Sequence, residues 1–155
     1  MLPRSAVAAA IGLAAYPATA APLELTSRIM VEHRVAAADG TSSIALVKPA
    51  KIVPGDRVVF VLAYRNTGTQ PIADLMLANP LPPGIAYQAA ASGSPAPELS
   101  VDGRSFGALA TLHVRTADGT PRAATPADVV AVRWRLSKPL AAGAGAELRF
   151  RAVVK

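Results

Sequence analysis

Pro54-Gly55-Asp56-Arg57-Val58-Val59-Phe60-Val61-Leu62-Ala63-Tyr64-Arg65-Asn66-Thr67-Gly68 is the stretch on which the fold turns. A Pro-Gly-Asp turn opens it, an unbroken run of strand formers follows, and an Asn-Thr-Gly turn closes it. Val58, Phe60, Leu62 and Tyr64 fall on one face at period two, and Val59, Val61 and Ala63 make the other face apolar as well. A strand apolar on both faces is central in its sheet or covered on its outer side. A second apolar segment, Ile72 to Leu77, leads into the corner Asn79-Pro80-Leu81-Pro82-Pro83-Gly84, whose prolines lack the amide hydrogens that a ladder needs. This order of turn, strand, turn and proline corner predicts an antiparallel β-sandwich.

The segments around it repeat the pattern. Upstream, Ile29, Val31, His33 and Val35 alternate with polar residues, Asp39-Gly40 marks a hairpin, and Ser43 to Val47 forms a short strand stopped before Pro49. Downstream, Gln88 to Pro97 reads as a loop of Ala, Ser, Gly and Pro. Asp102-Gly103 and Asp118-Gly119 are turns bracketing Phe106 to Arg115, and Pro121 to Pro126 reads as an irregular connection. Val130, Val132, Trp134 and Leu136 then alternate inward against Arg133 and Arg135. In the last strand, Ala146, Leu148, Phe150, Ala152 and Val154 alternate against Glu147, Arg149 and Arg151. No segment beyond the leader keeps an apolar period of 3.6, so the expected fold is one all-β domain of about seven to eight strands. There is no second copy of the Pro-Gly-Asp to Asn-Thr-Gly unit, which excludes a repeat array.

Residues 1–20 form a separate expectation. Arg4 is their sole charge, Ala6 to Ala15 is almost wholly apolar, and Ala18-Thr19-Ala20 has the small-x-small cleavage form. This predicts a secretory signal peptide cut after Ala20 or one residue later, leaving residues 21–155 as the mature domain. The apolar run is short of the roughly 20 residues that span a bilayer, so a membrane anchor is the lesser reading. The chain has no cysteine, so an exported domain must be held by its core without disulfides. Losing Arg4 lowers the formal charge from +6 to +5. The positive residues are dispersed. Outside the cytoplasm their available polyanions are envelope polysaccharide and lipid head groups rather than nucleic acid.

Pro54-Gly55-Asp56, Asn66-Thr67-Gly68, the Asn79 to Gly84 corner and Tyr87 together resemble the bacterial surface conserved repeat domain, catalogued as domain of unknown function eleven. Trp134 followed by Pro139-Leu140-Ala141-Ala142-Gly143 resembles that family's tryptophan strand and its Leu-Ala-x-Gly turn. The resemblance covers about Lys48 to Lys155 and implies an immunoglobulin-like sandwich, here in single copy. Asn79 stands where the family usually has Asp. Repeat versions also carry a further strand past the closing one, where this sequence stops at Lys155. The expectation is that Leu25 to Val35 completes a sheet, or that an edge stays open for another chain.

Candidate chemistry is sparse. His33 and His113 could meet Met30 or Met76 as a copper site, but no His-x-His or methionine-rich cluster accompanies them. Four carboxylates belong to Gly-containing turns, where Asp serves backbone geometry, and no pair has the spacing of a glycosidase. Ser94 lies in Ser-Gly-Ser-Pro and not in a nucleophile elbow. Trp134 and Tyr87 fit a core better than a sugar platform. Arg133, Arg135, Arg149 and Arg151 are the one candidate anion-binding cluster. A hairpin of the last two strands would set Arg133 opposite Arg149 and Arg135 opposite Glu147, whereas an arch between sheets would separate them.

These residues point to an exported, non-enzymatic module of the cell envelope or exterior, with no cofactor. Its expected partners are envelope or surface proteins, met through an exposed edge strand. A periplasmic carrier of an anionic polymer such as polysaccharide, or of a metal ion, is the second reading. Neither involves nucleic acid or a membrane-spanning segment.

Overall fold

Ten strands and two 3-10 turns build the chain in the computed structural model, which describes residues 22–36 and 38–155. The expected signal peptide at residues 1–20 lies outside the described residues. The strands are β1 (Leu23–Ala36), β2 (Ser42–Val47), β3 (Arg57–Asn66), β4 (Met76–Pro80), β5 (Ile85–Ala90), β6 (Glu98–Ser100), β7 (His113–Arg115), β8 (Pro121–Ala123), β9 (Ala131–Arg135) and β10 (Gly145–Val154). All named pairings are antiparallel. One open sheet has the order β2-β1-β3-β10-β5, a second has the order β4-β9-β6, and β7 and β8 form a separate hairpin.

β3 sits between β1 and β10, as its doubly apolar pattern requires. Its inward residues Val58, Phe60, Leu62 and Tyr64 join Leu148, Phe150 and Ala152 of β10 and Tyr87 of β5. The second sheet adds Leu77 of β4, Leu99 of β6, and Val132 and Trp134 of β9, so both sheets bury their inner faces in one cluster. Aromatic rings tie the layers together. Phe150 stacks on Phe60 with centroids 4.9 Å apart, and Trp134 from the other sheet lies 6.1 Å from Phe150. On the outer side of β3, Val59 and Val61 are covered by Ala91 with Met30 and Leu46.

The motif residues earn their places through backbone bonds. Asn66 is fully buried at the end of β3. Its Nδ2 donates to the carbonyls of Gln70 (2.8 Å) and Leu140 (3.0 Å), and its Oδ1 accepts from the Gly68 amide (2.9 Å). Gly68 itself is confined, because a Cβ there would meet Pro22 Cβ at 2.6 Å. At the other end, Asp56 Oδ2 accepts from the Val53 amide, and the Gly55 amide donates to the Val154 carbonyl, joining the Pro-Gly-Asp turn to the end of β10.

Several expectations change. The strand predicted over Ile72 to Leu77 begins at Met76. Asp74 has φ 50°, which breaks the extended run, and Ile72 makes only an isolated bridge to Leu140. The ladder also runs through Pro80, opposite Ala131. β4 is an edge strand, and the bonds from the Leu81 amide to Val130 and from the Leu136 amide to Leu75 place Pro80 nitrogen on the outer side, where no donor is required. Ile85–Ala90 is a strand where the expected loop was to begin at Gln88. A register shift at Arg151/Ala152 sets Tyr87 and Ala89 against successive β10 residues and bulges Gln88, erasing the alternation. Pro121–Ala123 is a short strand rather than an irregular link. At the start of β9 the inward residue is Val129, because the chain leaves a 3-10 turn there, and Val130 is 43% exposed. Ala146 is exposed too, at the start of β10 opposite Tyr64 of β3.

Candidate functional site

The four arginines of the candidate anion site are divided between two sheets. Arg133 and Arg135 are on the outer face of β9, in the three-stranded sheet. Arg149 and Arg151 are on the outer face of β10, in the five-stranded sheet. The link from β9 to β10 is therefore an arch. It is pinned by mutual amide–carbonyl bonds between Leu140 and Ile72 and by the Asn66 side chain. Three of the four arginines have carboxylate partners. Arg133 holds Glu98 through Nε (2.8 Å) and an Nη (2.6 Å), with its guanidinium 4.2 Å from the Phe106 ring centroid. Arg149 bonds Glu147 at 2.7 Å, and Arg151 bonds Glu32 at 2.8 Å. Arg28 completes the outer-face network by bonding Glu147. No four-arginine anion site is assembled.

His33 lies on β1 and His113 on β7, in different sheets. Among the described residues no group of three or more His, Cys, Asp or Glu side chains could hold a metal ion. Trp134 is 3% exposed in the shared core and donates from Nε1 to the Pro95 carbonyl (2.9 Å). Tyr87 is buried beside Phe150. Both rings belong to the shared core, and only Trp134 borders a cleft.

The displaced carboxyl groups all build loops. Asp102 is held down to about 2 by the amides of Arg104 and Ser105, with the Ser100 hydroxyl adding to them. The Thr41 hydroxyl and amide lower Asp39, and the Thr116 hydroxyl and Thr120 amide lower Asp118. Asp128 is held well below the usual range by a two-pronged bond from Arg122 (2.7 Å each) and by its capping box with Thr125. Such groups hold backbone in place and none of them faces another across a cleft.

Two features remain that can meet another molecule. The first is the hairpin of β1 and β2. Leu23 to Met30 of β1 pairs with β3, but Val31 to Ala36 pairs only with β2, so the hairpin runs on past β3. β2 is the outer strand of its sheet and leaves one side of its backbone unpaired. Among the described residues, five of the eight large exposed hydrophobics lie here or just after it: Val35 (48% exposed), Ile44 (58%), Val47, Ile52 and Val53. Scattered apolar residues are ordinary on a surface, but a concentration at an open edge marks a contact area.

The second is a cleft of about 630 Å³ between the sheets where their edges part. Tyr64, Trp134, Leu140 and Leu148 form its apolar lining, and Arg133, Arg135, Lys138, Glu98 and Glu147 border it where the outer faces of the sheets reach their edges. The cleft was not legible in the sequence, because it depends on β9 and β10 lying in different sheets and on Tyr64 of β3 meeting Leu148 across the chain. No helix among the described residues is long and apolar enough to cross a membrane. Compared with protein-family models, with curated proteins and with solved structures, the chain matches none.

Proposed function

We propose that this chain is an exported, non-enzymatic module of the cell envelope or exterior, folded as an immunoglobulin-like β-sandwich of the conserved-repeat kind. It binds a surface or envelope protein by adding that partner's strand to β2. The observation that carries the binding role is the concentration of Val35, Ile44, Val47, Ile52 and Val53 along the projecting hairpin and its exit. An unpaired strand offers main-chain bonds, and flanking apolar side chains offer the buried area that makes such bonds stable. The sandwich topology is supported by a shared inter-sheet core and by a chain that crosses between sheets at β3–β4, β4–β5, β5–β6 and β9–β10. Export is supported by the leader pattern of residues 1–20. The split of the four arginines leaves the carrier reading without its anion site.

The test is photo-crosslinking in the cells that make the protein. A photoreactive residue at Ala45 on β2 is expected to give one discrete protein adduct, and the same residue at Arg115 on β7 to give none. Ile44→Lys with Val47→Lys should remove the adduct, because charges on an edge strand oppose pairing. Equal labelling from both positions, or an adduct that survives the two lysines, refutes the proposal.

A further inference from the structure

The cleft between the sheets lies apart from the hairpin, and no residue lines both. Its geometry follows from where two ladders stop. β5 pairs with β10 only from Phe150 onward, and the next β10 group on that side is capped: the Arg149 carbonyl accepts from the Ala91 amide (3.3 Å) and its amide donates to Ser94 Oγ (2.8 Å). Ala146 and Leu148 turn their backbone groups toward β3, as the Ala144 carbonyl does toward the Asn66 amide. By strand alternation the Glu147 amide and carbonyl point the other way, into the cleft, and no partner among the described residues meets them.

The opposite wall repeats this. β6 ends its pairing with β9 at Glu98–Arg133. The Leu136 amide bonds Leu75 on the β4 side, so the Arg135 amide and carbonyl face the β6 side beyond the end of that strand. Each wall thus presents one unpaired strand residue, with an apolar floor between them. The Tyr64 hydroxyl has no protein partner and is not a sealed polar atom, since no buried side-chain oxygen or nitrogen lacks a bond among the described residues.

The charges decide the occupant. Arg133 is held by Glu98, and Glu147 is held by Arg28 and Arg149, which lie outside the cleft. Arg135 and Lys138 have no carboxylate within salt-bridge distance among the described residues. The cleft therefore offers main-chain donors and acceptors, an apolar floor and, at its rim, two cations with no carboxylate partner among the described residues. We infer that it is a docking slot for an extended acidic peptide, which pairs with β10 at Glu147, rests an apolar side chain on Tyr64, Trp134 and Leu148, and presents carboxylates to Arg135 and Lys138. Strand addition supplies affinity through the backbone, and the pockets beside it supply selectivity. The volume lies within the range of roughly 300–1,000 Å³ typical of ligand sites.

Trp134 is the sole tryptophan of the chain, so its fluorescence reports on the slot directly. The probe is a capped six-residue peptide of alternating valine and aspartate. It should bind with an affinity that falls as salt rises, while the same peptide with lysine in place of aspartate should bind at least tenfold more weakly. Arg135→Glu with Lys138→Glu should reverse that preference. Glu147→Pro removes the amide hydrogen that faces the slot together with the carboxylate that Arg28 and Arg149 hold, and it should abolish binding. Glu147→Ala keeps that hydrogen and should bind at least as well as the parent. Unchanged urea midpoints would show that both variants are folded. Equal binding of the aspartate and lysine peptides, or full binding by Glu147→Pro, overturns the inference. So does an acidic oligosaccharide that binds in the peptide's place and is indifferent to Glu147→Pro.

Discussion

Replacing Asn66 by alanine should unfold the protein more easily than any other single polar substitution in the opening motif. The side chain makes three bonds in a fully buried site, to Gln70, Leu140 and Gly68. A neutral hydrogen bond contributes about 0.5–1.5 kcal/mol net, and a buried group left unpaired costs about 1–3 kcal/mol. The three partners differ. The Leu140 carbonyl keeps its bond from the Ile72 amide, and Gln70 is exposed enough for water to replace the lost donor. The half-buried Gly68 amide is the group left short. The loss should therefore be about 2–3 kcal/mol, near the sum of three ordinary bonds and below three full penalties. For a domain of this size that lowers the melting temperature by about 7–11 °C, at roughly 2.1 cal/mol/K of unfolding entropy per residue. Urea unfolding followed by Trp134 fluorescence reads the change, with an unaltered slope confirming that the same surface unfolds. Gln70→Ala is the control, since only the Gln70 backbone is used. A loss below about 1 kcal/mol would mean that Asn66 is an ordinary turn residue and that the arch is held by other contacts.

Gly68→Ala should destabilise by about 1–3 kcal/mol through overpacking against Pro22, and Pro22→Gly in the same chain should recover part of the loss; additive effects in the double variant would remove the steric explanation. Asp102 titrates at about 2 in the fold, whereas an unfolded aspartate titrates near ~3.9. Because the folded value is the lower one, its contribution is complete above about pH 4 and fades as pH falls toward 2, so Asp102→Asn should flatten that part of the urea midpoint against pH. An unchanged profile would show that the Arg104 and Ser105 amides do not hold the carboxylate in solution. Mass spectrometry of the protein recovered from its own cells should find a mature N-terminus at Ala21 or Pro22, and a retained Met1 would defeat the export proposal.

Legibility followed distance along the chain. The two-faced apolar pattern of β3 announced a central strand, Asp39-Gly40 announced the β1–β2 hairpin, and Asp118-Gly119 marked the turn of the β7–β8 hairpin without its second strand. These are local signals, carried by side-chain period and turn chemistry within a few residues. β5 stayed hidden because a bulge at Gln88 removes its alternation in an alanine-rich stretch. Pro80 looked like a ladder stop because the sequence does not say which side of an edge strand its nitrogen faces.

The amino-acid sequence by itself determined an all-β chain of short antiparallel strands, a doubly buried central strand, and the residues that would line its core. Only the tertiary structure decided that β9 and β10 lie in different sheets, which separates Arg133 and Arg135 from Arg149 and Arg151 and gives three of them carboxylate partners. It also decided where ladders end, and so where Glu147 and Arg135 are left with open backbone groups above a cleft. The reason is physical. Period and turn type depend on neighbours in sequence, whereas the sheet a strand joins depends on which apolar faces meet across the core, and an open site appears where those long-range pairings run out.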